Sequence, residues 1–336
     1  MSAARPPEGA RTVAGGEGRP VSATSAAVDA VVARIKAVYG RWNAATTVAG
    51  MRDDWDGMFP ADAPGATEAT VEDVDAGGVA CRWITAPGAR PDKVVVHLHG
   101  GGFRIGSLRS HRELMARISA ATGARVLGVG YRKVPEHRYP AALEDALGAI
   151  AWARGQGYGP GDLALAGDSA GGGLALATLL ASGQRGLALP VACVLMSAWT
   201  DMSAHGESYA TRAAADPIHD RAMVLAMARG YLGRAGRADD PLASPLCAPP
   251  DMLAGWPPLL VQVGDRETLL SDSLVLAETA RQAGVDVELQ VWPDMIHVFQ
   301  QFPAELPEAR LALAEAGRFL ARHLGLPAPA EEGPPP

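Results

Sequence analysis
The chain has 336 residues, 48% of them hydrophobic and 20% charged, enough apolar material for one large core with an appended subdomain rather than several small domains. A formal charge of −7 with scattered arginines argues against a nucleic-acid partner, because a polyanion needs a local basic patch to bind. Cys81, Cys193 and Cys247 are too few and too far apart for a disulfide framework or a C-x-x-C metal site, and no run approaches the ~20 apolar residues of a membrane span.

Residues 1–19 and 326–336 are rich in proline, glycine and polar groups and are predicted to be disordered tails. The first twenty residues lack the apolar stretch of a secretory signal, so a cytoplasmic protein with reduced thiols is expected. Over residues 26–42, Val28, Val31, Val32, Ile35, Val38 and Tyr39 recur at a helical period. A polar stretch punctuated by proline follows, through Pro64. From residue 79 the pattern changes to short apolar strands (79–84, 94–98, 126–131, 163–166) alternating with helices (114–122, 141–153). Such alternation predicts an α/β fold, with a mostly parallel central sheet, helices on both faces, and ligands bound beyond the carboxyl ends of the strands.

The chemistry-bearing segments fall at those strand ends. After the strand at 94–98 comes His99-Gly100-Gly101-Gly102-Phe103, where successive glycines leave backbone N–H groups free to face a developing alkoxide. His97 and His99 are two apart and could face one way as metal ligands, but without a third convergent ligand no metal is expected. His99 is expected to hydrogen-bond within the glycine loop, and His97 to be structural. Next comes Gly167-Asp168-Ser169-Ala170-Gly171, between a buried-strand run and an Ala/Leu-rich helix. This is the nucleophile-elbow pattern G-x-S-x-G, which lifts a serine hydroxyl into a cleft. Asp168, beside that serine, is read as stabilising the loop.

Between residues 199 and 245 the alternation stops, and 205–215 and 221–232 read as two helices around Pro217. In the second, Met223 and Met227 could line an acyl pocket or merely pack. Beyond the strand at 259–263 lie Asp265 and Glu267, both candidates for an acid that orients a histidine. The strand at 285–292 then leads to Asp294 and His297, whose imidazole can accept a serine proton and return it to a leaving alcohol. Asp294 is too close to His297 in the chain to be its acid and is read as shaping the loop.

With Tyr131-Arg132-Lys133-Val134-Pro135-Glu136-His137, these motifs resemble those of the hormone-sensitive-lipase-like esterases (bacterial family IV), in the same order and over residues 78–325. The resemblance implies an α/β-hydrolase fold that hydrolyses short- to medium-chain carboxylic esters without a cofactor, often as a homodimer. It divides the chain into a catalytic core (61–200 and 241–325) and a helical cap (20–60 with 201–240). Ser169 would be the nucleophile and His297 the base, with the N–H groups of Gly101, Gly102 and Ala170 as the oxyanion hole. The acid-x-Leu pattern of the family falls on Glu267-Thr268-Leu269 and selects Glu267 as the triad acid. One alternative is a non-catalytic small-molecule receptor, as in gibberellin receptors that resemble this family without its histidine. Another is an amide or carbamate hydrolase.

Overall fold
The computed structural model describes residues 11–12, 25–60 and 66–327. The first elements are a two-residue strand, β1 (Arg11–Thr12), and two helices, α1 (Ser25–Tyr39) and α2 (Val48–Asp56). A hairpin follows, β2 (Thr70–Asp75) and β3 (Ala80–Thr85), which turns through Gly77 and Gly78 at positive φ. The alternating region runs β4 (Arg90–Leu98), α3 (Arg112–Thr122), β5 (Ala124–Val129), α4 (Ala141–Gly155), β6 (Leu163–Asp168), α5 (Ala170–Gln184) and β7 (Cys193–Met196). Two helices, α6 (Ser208–Thr211) and α7 (Arg221–Leu232), interrupt it. It resumes with β8 (Leu259–Gly264), α8 (Leu270–Gln282), β9 (Val287–Trp292) and α9 (Pro307–Leu324).

The strands form one sheet in the order β1-β9-β8-β7-β6-β4-β5-β3-β2. Among the described residues only the pairings β2–β3 and β3–β5 are antiparallel. The central strands are buried on both faces, and alternate side chains of β4 serve two cores. Val94, Val96 and Leu98 pack toward α4 and α5, whereas Val95 packs with α3 and α9. The strand order reverses around β4, which pairs with β5 on one side and β6 on the other. Such a switch point opens a crevice at the carboxyl ends of the strands. The glycine loop leaves β4 there, and Ser169 leaves β6.

Four local expectations are corrected. The polar stretch before Pro64 contains α2, whose start is capped by Thr47 Oγ1 accepting from the Gly50 N–H at 3.1 Å. Residues 205–215 do not form one helix, because only Ser208–Thr211 is helical. Side-chain hydrogen bonds win there: Ser208 Oγ donates to the Thr268 carbonyl at 2.5 Å and its N–H donates to Ser271 Oγ at 2.9 Å. Strand β2 was not anticipated, because its side chains are mostly exposed and polar. Within the expected tails, Arg11 and Thr12 pair in parallel with Gln290 and Val291, and Leu326 is buried by packing against the α3–α9 core. The rest of those tails, 1–10, 13–19 and 328–336, lies outside the described residues.

Helices α1 and α2 share a third cluster with the chain after β9, where Val31, Ile35 and Trp55 meet Trp292, Phe299 and Phe302. Helix α7 docks through Tyr231, whose ring stacks on Phe103 of the glycine loop at 3.7 Å. These three helices stand over the crevice. Among the described residues no helix is long and apolar enough to cross a membrane.

Candidate active site
Ser169 sits between the last residue of β6 and the first of α5 at φ 51° and ψ −122°, a strained geometry for a residue with a side chain. The turn is tight enough that a Cβ on Gly167 would collide with the Gly171 carbonyl, and one on Gly171 with the Leu98 carbonyl. Both flanking glycines are therefore steric requirements. The hydroxyl is left at the N-terminus of α5, where helix dipole and free N–H groups favour negative charge.

The loop after β9 brings His297 to this hydroxyl, with Nε2 2.8 Å from Ser169 Oγ. On the other side of the ring, Nδ1 lies 2.8 Å from Oε2 of Glu267. Glu267 is fully buried, and its Oε1 accepts from Ser197 Oγ at 2.7 Å and from the Gly264 N–H at 2.6 Å. Burial pushes the His297 pKa down, but the hydrogen bond and charge of Glu267, aided by Asp216 and Asp168, outweigh it, so the ring titrates above its ordinary value. Asp265 does not reach His297. It is half-buried, and its Oδ1 accepts from the Asp294 N–H at 2.8 Å, which fixes the turn leading into the histidine loop.

The glycine loop is held from beneath. Tyr131 Oη donates to the His99 carbonyl at 2.6 Å, Lys133 Nζ to the Gly106 carbonyl at 2.5 Å, and the Val134 N–H to the Phe103 carbonyl at 2.9 Å. The Tyr131–His137 segment thus braces the loop. Gly101 and Gly102 have φ of 112° and 60°, and among the described residues neither donates its N–H to another backbone group. His99 Nδ1 lies 2.8 Å from the Gly100 carbonyl and its ring stacks on Tyr131. Buried Asp168 lies below, with Oδ2 3.2 Å from His111 Nε2 and Oδ1 3.5 Å from His97 Nε2. Burial raises the Asp168 carboxyl, but its interactions with His111, including their hydrogen bond, and with His97 and His297 outweigh it and hold its pKa below the usual carboxylate value. Among the described residues no three His, Cys, Asp or Glu side chains converge as metal ligands.

Above Ser169 lies a cavity of about 260 Å³ whose walls are mostly apolar and include Tyr39, Met51, Ile218, Met223, Met227 and Phe302. Met223 and Met227 both line it.

Three residues of the site were missed in the sequence. Ser197, just past β7, joins the two halves of the acid–histidine pair: it donates to Glu267 and accepts from the Val298 N–H at 3.1 Å. Its position at a strand's carboxyl end was the available signal. Asp216 pins the segment before α7 to the loop after β8, with Oδ2 accepting from Thr268 N–H and Oγ1 at 2.8 and 2.9 Å. His219 reaches the His297 ring edge-on, with ring centroids 4.5 Å apart. Nothing in their local sequence marks the last two.

Comparison with known proteins bears on the fold and the class of reaction. The model of a family described as alpha/beta hydrolase fold matches residues 95–301. An acetyl-hydrolase of Streptomyces hygroscopicus is 42% identical over 247 residues, 74% of this chain and 81% of that protein. An esterase of Acinetobacter venetianus is 37% identical over 231 residues, 69% of this chain and 75% of that protein. Among solved structures, an esterase from the bacterial hormone-sensitive lipase family superposes with a TM-score of 0.85 at 44% identity, covering 90% of this chain and all of that one.

Proposed function
The chain belongs to the alpha/beta hydrolase fold family and is a carboxylic ester hydrolase of the hormone-sensitive-lipase-like kind, and from that premise we propose that it cleaves short- to medium-chain esters through an acyl-enzyme on Ser169. The observation that carries the assignment is the unbroken line from Glu267 through His297 to Ser169, with both contacts at 2.8 Å. Ser169 Oγ attacks the ester carbonyl carbon while His297 Nε2 takes the hydroxyl proton. Glu267 holds the Nδ1–H tautomer and stabilises the imidazolium. The N–H groups of Gly101, Gly102 and Ala170 receive the negative charge of the tetrahedral intermediate, each such donor being worth ~10²–10³ in turnover. The alkoxide leaves with the proton held by His297. Water activated by the same nitrogen then attacks the acyl carbon and releases the acid.

In this reading α1, α2 and the segment bearing α6 and α7 form a cap on a core built from the sheet and its helices. The modest cavity supports a short acyl chain. The reaction uses no cofactor. A cytoplasmic location belongs to the same reading, supported by three cysteines that are all free thiols. So does a homodimer, which rests on the family resemblance and is tested by sedimentation of the purified chain. The names of the relatives favour ester hydrolysis over the receptor and the amide or carbamate alternatives.

The test is hydrolysis of p-nitrophenyl esters from acetate to palmitate, by the wild type and by Ser169→Ala. Turnover on the short esters that falls to background in the variant, with palmitate hardly cleaved, is the expected result. Turnover retained by folded Ser169→Ala refutes the mechanism.

A further inference from the structure
His219 stands at the catalytic centre without a place in the reaction as written. Its main chain is fixed, because Asp216 Oδ1 accepts from the N–H of Ile218 at 2.9 Å and of His219 at 3.0 Å. The other oxygen of Asp216 holds Thr268, the neighbour of Glu267. The His219 ring is thereby held at 81° to the His297 ring, lining the same cavity as Ser169. Nδ1 of His219 is buried with no hydrogen-bond partner among the described residues. A buried polar atom left unpaired is destabilising, and leucine or methionine would fill the same wall without that penalty. Beyond Ser169 and His297 the wall is largely methionine, isoleucine and aromatic rings, with Arg104, His111, Asp168 and Gln301 as its other polar side chains. Burial and the neighbouring His297 charge hold the imidazole pKa down to about 4, so at neutral pH the ring is uncharged and offers one donor and one acceptor. A hydroxyl can meet one ring nitrogen as donor or as acceptor, according to the tautomer, whereas an uncharged ring lacks the positive charge that would favour a carboxylate.

Position decides which half of the ester it meets. His297 Nε2 must face the alkoxy oxygen to protonate it, so the substituent on that oxygen lies beside the His297 ring, where His219 packs. We infer that His219 is a specificity residue for the alcohol half of the substrate, recognising esters of diols and polyols that keep a free hydroxyl next to the cleaved oxygen. The inference rests on the proposed roles of Ser169 and His297.

The test compares kcat/KM for 2-hydroxyethyl acetate and propyl acetate, which differ by one hydroxyl for a methyl at equal length. Wild type is expected to favour the hydroxyethyl ester about tenfold, the worth of one neutral hydrogen bond. His219→Leu should bring the ratio to about one, and His219→Gln, which keeps a donor and an acceptor, should recover much of it. A wild-type ratio of one or less overturns the inference without any variant. A His219→Leu enzyme that slows on both esters equally and keeps its ratio also overturns it, since the ring would then only support His297. Ser169→Ala separates the two levels: hydrolysis surviving in that variant is a failure of the proposed mechanism, whatever the ratio.

Discussion
Replacing Glu267 with glutamine tests the proposed site most sharply. The carboxylate meets three donors, the imidazole Nδ1–H at 2.8 Å, Ser197 Oγ at 2.7 Å and the Gly264 N–H at 2.6 Å. A glutamine has one oxygen and one NH₂. The Gly264 N–H cannot rotate or become an acceptor, so the amide oxygen stays on it and the NH₂ turns toward His297. Nδ1 must then accept, which moves the ring proton to Nε2, where it faces the serine and cannot take its proton. The loss expected from the wrong tautomer is ~10³–10⁴ in kcat, or ~4–5.5 kcal/mol of transition-state stabilisation. The negative charge that raises the His297 pKa also disappears, so the acid limb of the pH–rate profile should move down from its wild-type position above the ordinary imidazole value. The sign follows from the chemistry: the neutral ring is the base, so activity is lost as pH falls through the His297 pKa. The control is Asp265→Asn, whose side-chain oxygen can still accept from the Asp294 N–H, and its kcat should stay within about tenfold of wild type. The assay is p-nitrophenyl acetate hydrolysis from pH 5 to 9, with melting temperatures to confirm folding. A Glu267→Gln enzyme within tenfold of wild type, or an Asp265→Asn enzyme equally crippled, would refute the assignment.

Two further outcomes follow from other parts of the structure. Gly101→Ala should reduce kcat by ~10²–10³ with the protein still folded, because φ is 112° there and a Cβ would collide with the Ile105 carbonyl, which displaces the N–H from the oxyanion. Steady-state rates within a few-fold of wild type would show that this loop does not carry the oxyanion hole. Asp272 supplies the pH test of stability: burial raises its carboxyl, and the nearby Asp201 charge adds to this, to about 7 against the partial offset of N–H bonds from Thr200 and Asp201. The folded state therefore binds this proton more tightly than the unfolded chain, and the group withdraws stability as pH rises from about 4 to about 7. The melting temperature of Asp272→Asn minus that of wild type should rise across that window, and a flat difference would contradict the burial argument.

Much of the site was legible in the chain because its demands are local. A strand meeting a helix across one residue needs glycine at 167 and 171, and those glycines frame Ser169 visibly. Three successive glycines alone suit a flexible turn equally well, and it is their place at a strand end upstream of the serine elbow that pointed to the proposed oxyanion loop. Apolar runs alternating with helical periods imply a parallel sheet, and the sheet implies a crevice at its carboxyl ends. Weak local signals failed: α2 lies in a polar stretch, and the run at 205–215 is broken by hydrogen bonds from Ser208 to Thr268 and Ser271, about sixty residues away.

The choice between Asp265 and Glu267 shows where the sequence stops. Both carboxylates follow the same strand and differ by two positions, and spacing alone treats them alike. The turn after β8 sends one inward, to full burial against His297, and leaves the other half-exposed on the Asp294 N–H. Ser197, Asp216 and His219 enter the site only because β7, the segment before α7 and the loop after β9 converge there. Residue type and local spacing determined the fold class and marked the serine and the glycine loop that are proposed as nucleophile and oxyanion hole, since each follows from backbone geometry within a few residues. Only the packed structure decided which acid, which bridging hydroxyl and which second imidazole face the histidine, because burial and hydrogen bonding are properties of segments brought together from distant parts of the chain.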